Sequence, residues 1–108
     1  MGRFVIKTAK NGQFFFNLEA ENWKTILTSE MYSAKSGCNT GIESVRANCS
    51  IDSRYDRNKS TNNKYYFNLK AVNGQIIGTS EMYEASSGME TGIASVKING
   101  TSKTVTEE

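Results

Sequence analysis

Ser29-Glu30, Ser80-Glu81 and Cys38 are the groups of this 108-residue chain best suited to catalysis. A glutamate can serve as a general base, but acid–base work needs a positioned partner. Neither copy carries a second carboxylate or a metal-ligand side chain repeated beside it. Histidine is absent. Its absence removes Ser–His and Cys–His nucleophile pairs, histidine metal sites and a histidine general base. A thiol near a helix start can have a lowered pKa. However, the position equivalent to Cys38 is Met89, so a core thiol is expected. No catalytic residue, cofactor or metal is therefore expected; an enzyme would need a non-histidine mechanism on Glu30 or Glu81.

Recognition has better raw material. FFFNLEA (14–20) and YYFNLKA (65–71) alternate with the period of a strand. One face takes Phe14, Phe16 and Leu18; the other takes Phe15 and Asn17, with Tyr66 and Asn68 in the second copy. Leu27 and Ile76 are expected nearby, flanked by Lys70 and Arg57. Aromatics on an open sheet with basic neighbours are how several single-strand nucleic-acid readers stack bases. Against that, net charge is only +2. Lys and Arg balance Asp and Glu six to four up to Ile51 and seven to seven after it. The first expectation is thus a binding or self-association surface for protein; single-stranded nucleic acid is the alternative. Ser36-Gly37 and Ser87-Gly88 could offer backbone N–H groups to an anion. No glycine-rich phosphate loop precedes either, so ordinary capping accounts for them. The KSTNNK run (59–64) reads as a hairpin tip, and Trp23 as a clamp on the sheet or a partner contact.

The elements that position these residues are written twice. A shift of 51 aligns residues 16–45 with 67–96 at 19 of 30 identities. Such internal duplication is the first thing to read in a chain. Each unit begins with a short strand, Phe4–Thr8 or Tyr55–Lys59. The alternating strand follows, then a third near Thr25–Thr28 or Gln75–Thr79. Asn73-Gly74 is a strong hairpin turn. Trp23 tolerates positive φ poorly, so a different turn is expected there. Cys38, Ile42, Val45 and Cys49 then fall at i, i+4, i+7 and i+11, with Met89, Ile93 and Val96 matching: helices are predicted near 34–48 and 85–98. Ser87 to Glu90 has capping-box spacing. Gly41 and Gly92 inside these helices suggest close approach to a neighbour, such as the other helix. Lys103–Glu107 reads as a last strand. About 50 residues bury too little to stand alone, so residues 1–108 are read as one α+β domain of two repeats (1–51 and 52–108). One sheet would carry both helices on one face.

FNLKAVNGQIIGTSEMY (67–83) and ETGIASVKINGTSKTV (90–105) closely resemble the bacterial YegP-like proteins, a family of small tandem-repeat proteins of unknown function. The resemblance covers both units. It implies two tandem βββαβ motifs in one antiparallel sheet, with their C-terminal strands exchanged, and it brings no activity or cofactor. Trp23 in place of the turn glycine, and Cys38, depart from the pattern.

No apolar run reaches bilayer length and MGRFVIKTAK lacks an apolar secretory core, so a cytoplasmic protein is expected. On one helix, Cys38 and Cys49 would lie roughly 16 Å apart along the axis, too far for a disulfide.

Overall fold

The computed structural model describes residues 1–108. The first repeat runs β1 (Arg3–Thr8), β2 (Phe14–Glu19), β3 (Thr25–Ser29) and α1 (Lys35–Asn48). A 3-10 turn, Asp52–Arg54, leads into the second. There follow β4 (Tyr55–Lys59), β5 (Tyr65–Lys70), β6 (Ile76–Thr79), α2 (Ser86–Asn99) and β7 (Val105–Glu107). All seven strands join one sheet in the order β4-β5-β6-β3-β2-β1-β7. The repeats meet where β3 pairs with β6, Thr28 opposite Thr79 and Ser29 opposite Gly78.

The sheet is mixed, which corrects the expectation of a wholly antiparallel one. β7, after α2, lies parallel to β1 of the first repeat, with Phe4 opposite Val105 and Ile6 opposite Glu107. The tight hairpins force antiparallel pairing, whereas β7, at the far edge of the sheet from β4 and opposite in direction to β6, meets β1 in the parallel sense. The end of α2 is tied to the chain start: Gly2 N–H donates to Asn99 Oδ1 (2.7 Å) and Ser102 Oγ donates to Gly2 O (2.6 Å).

Alternation along the strands and the stripe on each helix meet in one cluster of 17 buried side chains. Phe4, Phe16, Leu18, Leu27, Tyr55, Phe67 and Leu69 come from one sheet face; Cys38, Ile42, Val45, Met89, Ile93 and Val96 come from the helices. Both helices therefore cover the same face. Phe4 meets Phe16 edge to face at 5.8 Å, and Tyr55 meets Phe67 likewise at 5.6 Å, one repeat on. Such pairs add roughly 0.5–1.5 kcal/mol beyond the area they bury. Cys38 and Cys49 are free and buried.

Three local expectations are corrected. The helix N-caps are Ala34 and Ala85, and neither makes a side-chain capping bond. Ser87 already lies inside α2, so the Ser87–Glu90 spacing is not a capping box. Its carbonyl instead accepts from Thr91 Oγ1 (3.1 Å), as Ser36 O does from Thr40 Oγ1. Gly41 and Gly92 do serve a close approach, but to a tyrosine of their own repeat. A Cβ on Gly92 would overlap the Tyr83 ring, with Cζ 2.7 Å away. One on Gly41 would overlap Tyr32 and stand 2.9 Å from Phe16 Cε2. Trp23 adopts φ 63° in the turn that Gly74 makes at φ 85°. Both turns close with the same bonds: Trp23 N–H to Ala20 O and Gly74 N–H to Ala71 O, each 2.9 Å.

Candidate functional site

Strand alternation sends Phe15, Asn17, Tyr66 and Asn68 to the sheet face away from the helices, as the sequence predicts. Across that face the register runs Asn17–Thr28–Thr79–Asn68 without a break. Thr28 Oγ1 donates to Asn17 Oδ1 at 3.0 Å, and Thr79 Oγ1 donates to Asn68 Oδ1 at 2.8 Å. With both Oδ1 atoms engaged, each carboxamide is held in one orientation, its NH2 left as the free donor group. The central Thr pair was not singled out in the sequence. The threonine before each S-E-M-Y step is the signal that could have found it.

Phe15 and Tyr66 are each half-buried but do not form one aromatic platform. Three strand spacings separate β2 from β5, and the two rings lie on opposite sides of the Asn–Thr row. They are therefore roughly 20 Å apart. Charges on the face largely neutralise one another. Arg3 pairs with Glu19 (2.9 Å), Lys70 with Asp56 (3.1 Å) and Lys7 with Glu108 (3.6 Å). Arg3 also lies 4.2 Å above the Trp23 ring. Trp23 is 59% exposed, so its clamp on the sheet leaves one ring face in solvent.

Other expected neighbours lie elsewhere. Leu27 is fully buried on the helix side. Arg57 also faces the helices, where it holds Glu90 (2.6 Å) and Asp52 (3.0 Å). Their guanidinium and ammonium partners keep both carboxyls below the usual carboxylate range: Lys97 and then Arg57 for Asp52, Arg57 for Glu90. Ile76 lines a cleft with Tyr32 and Thr40. Register shifts at Leu69/Lys70 and at Leu18/Glu19 displace the start of each third strand, which a strict period of two does not anticipate.

The serines of the S-E steps bridge backbone. Ser29 Oγ accepts from Phe16 N–H and donates to Glu30 O, both at 2.8 Å; Ser80 does the same for Phe67 and Glu81. They extend each ladder past its last pair. The Cys38 thiol is fully buried, and burial raises its pKa, the opposite of an activated nucleophile. No group of three or more Cys, Asp or Glu side chains is placed to hold a metal ion.

A family model described as a domain of unknown function, DUF1508, matches residues 9–56 and again residues 60–107. The UPF0339 protein YegP of Escherichia coli K12 is 52% identical over 104 residues, 96% of this chain and 94% of that protein. A UPF0339 protein of Acinetobacter baylyi is 51% identical over the same shares. Among solved structures, the solution structure of E. coli yegP, described as of unknown function, superposes with a TM-score of 0.94 at 50% identity. It spans 99% of this chain and 92% of that one. That of a Shewanella oneidensis UPF0339 protein gives 0.93 at 47%, spanning 98% and 90%.

Proposed function

We propose that this chain, which belongs to the DUF1508 family of unknown function, is a non-enzymatic association module whose open sheet face binds protein. The observation that carries the reading is the Asn17–Thr28–Thr79–Asn68 row. Two carboxamides, Asn17 buried and Asn68 half-buried, are held by threonine hydroxyls on the face away from the helices, with a half-buried aromatic at each diagonal end. Fixed donors beside apolar rings suit a protein surface, where preset hydrogen bonds lose little entropy on binding. Paired charges and the separation of the rings argue against a nucleic-acid strand, which needs free cations along a track and stacking at successive bases.

Within the same reading, residues 1–108 act as one domain with the repeats meeting at Ile51. The position of β7 beside β1 supports taking the C-terminal strand as exchanged between βββαβ repeats. No helix is long and apolar enough to cross a membrane, and the place of action in this reading is the cytoplasm.

Replacing Phe15 and Tyr66 by Ser together tests the binding face. Tagged native and double-variant proteins of matched circular dichroism are compared for the proteins each retains. Selective loss of retained species with the variant is the expected result. Identical sets from both proteins would overturn the proposal.

A further inference from the structure

Two clefts beside the helices map onto each other by the 51-residue shift. In one, Tyr32, Thr40 and Ser44 of the first repeat face Gln75 and Ile76 of the second. In the other, Tyr83, Thr91 and Ser95 of the second face Lys24 and Thr25 of the first. Each cleft is thus built from both repeats, a tyrosine and helix on one wall and a hairpin end of the opposite repeat on the other. They are not equal in size. The first encloses about 170 Å³ and the second about 530 Å³. Only the second falls in the range usual for small-molecule sites, roughly 300–1,000 Å³. Where the smaller cleft has Gln75 and Ile76, the larger has Lys24 and the shorter Thr25.

The charges of the larger cleft set it apart from the remaining surface. Nine of the chain's eleven side-chain carboxylates form ion pairs. The two that do not are the repeat equivalents Glu30 and Glu81, and Glu81 lines this cleft. Lys24 lines it too and is likewise without an ion-pair partner. An ammonium and a carboxylate therefore share one concavity without meeting each other. The same cleft is lined by the hydroxyl residues Tyr83, Thr91 and Ser95, by Asn22, and by the apolar Ala20 and Ile26. Burial first, and the Glu81 carboxylate second, raise the Tyr83 pKa, so its phenol remains a hydrogen-bond donor at neutral pH.

We infer that the larger cleft binds a small zwitterion of the α-amino-acid type, with its ammonium on Glu81, its carboxylate on Lys24 and its flank on the Tyr83, Thr91 and Ser95 hydroxyls. The two opposite, separated charges favour a ligand carrying both, because only such a ligand makes a charge-assisted hydrogen bond at each of them. The smaller cleft has Gln75 where Lys24 stands, and Glu30 is not among its walls. It is the internal control.

The test is an amide-shift titration of the 15N-labelled protein with each proteinogenic α-amino acid in turn, at constant ionic strength. Acetate and methylammonium serve as the separated ends. At least one amino acid should produce saturable shifts at Lys24–Ile26, Glu81, Tyr83, Thr91 and Ser95, but not at Tyr32, Thr40 or Ser44. Acetate and methylammonium should bind at least tenfold more weakly. Lys24→Gln, which installs the residue of the smaller cleft, and Glu81→Gln should each weaken binding about tenfold, close to 1.4 kcal/mol. Three results would each overturn the inference: no saturable shift across the panel, equal shifts at both clefts, or binding untouched by either substitution in a protein whose spectrum shows it folded.

Discussion

Trp23 takes φ 63° where Gly74, one repeat later, takes φ 85° in a turn closed by the same backbone bonds. A side chain in the left-handed region costs roughly 1–2 kcal/mol relative to glycine. The Arg3 guanidinium 4.2 Å above the indole offsets part of that, since an exposed cation–π contact contributes about 0.5–1 kcal/mol. Trp23→Gly should therefore change stability little in the native chain, yet stabilise an Arg3→Ala variant by about 1 kcal/mol. Urea melts of the four proteins in the cycle measure the coupling. A value near zero would show that the cation does not support the turn.

Gly41 and Gly92 occupy equivalent helix positions but should respond differently to Ala. Alanine is favoured over glycine by up to ~1 kcal/mol in a helix interior. At Gly92 the three atoms nearest the added carbon all belong to Tyr83, whose ring tip can tilt toward its cleft. At Gly41 it also meets Phe16, which is fully buried and stacked 6.5 Å from Tyr32. Overpacking such a site costs about 1–3 kcal/mol. Gly41→Ala should lower the melting temperature clearly and Gly92→Ala by less. Equal losses at the two positions would contradict the part given to Phe16.

The burial of five hydroxyl and thiol groups predicts an alkaline limit to stability. Burial raises the pKa of Tyr55, Tyr32, Tyr83, Cys38 and Cys49, with neighbouring charges adding smaller effects at the tyrosines. Below the unfolded values, about 8.5 for Cys and 10 for Tyr, both states are neutral and nothing is lost. Above them the unfolded chain ionises first, so stability falls as pH rises. At the acid end Asp52 and Glu90, lowered by their cations, contribute above about pH 4, and that contribution fades as pH falls. The melting temperature should thus hold level from about pH 5 to 8 and drop above about pH 9. Tyr55 Oη donates to Cys49 O at 2.6 Å in the core, so Tyr55→Phe should cost about 1–2 kcal/mol at neutral pH. The same variant should fall less steeply from pH 9 to 11. A parallel fall would remove Tyr55 from the account.

The fold was legible where periodicity is strong. FFFNLEA and YYFNLKA separate Phe16 and Leu18 from Phe15 and Asn17, and the Ile42–Val45 and Ile93–Val96 stripes define both helices, because burial on one face imposes those periods. What escaped was set by contacts distant in sequence. Arg57 reads as a flank of the open face, but its place opposite Phe67 sends it to the helix side, where Glu90, 33 residues on, holds it. Leu27 and Ile76 were misplaced because a bulge breaks the count of two. The turn at Trp23 was misread because local propensity disfavours what the duplicated register requires. The four residues of the open face were legible. Their threonine partners were not, since a polar residue in a strand carries no sign of its cross-strand acceptor.

That threonine pairing yields the sharpest prediction for the open face. Val preserves the shape of Thr but cannot donate, so Thr28→Val with Thr79→Val leaves the Asn17 and Asn68 carboxamides free to turn over. Each lost bond should cost about 0.5–1.5 kcal/mol, leaving the protein folded. If the face recognises its partner through fixed NH2 donors, capture of whatever species the Phe15→Ser, Tyr66→Ser variant loses should also fall with the valine pair, although both aromatics remain. The Asn side-chain amide resonances report the change directly. They should be resolved and slow to exchange in the native protein and should move toward free-amide positions in the variant. Unchanged capture alongside shifted amide signals would assign recognition to the aromatics alone and leave the Asn–Thr row a purely structural seam between the repeats.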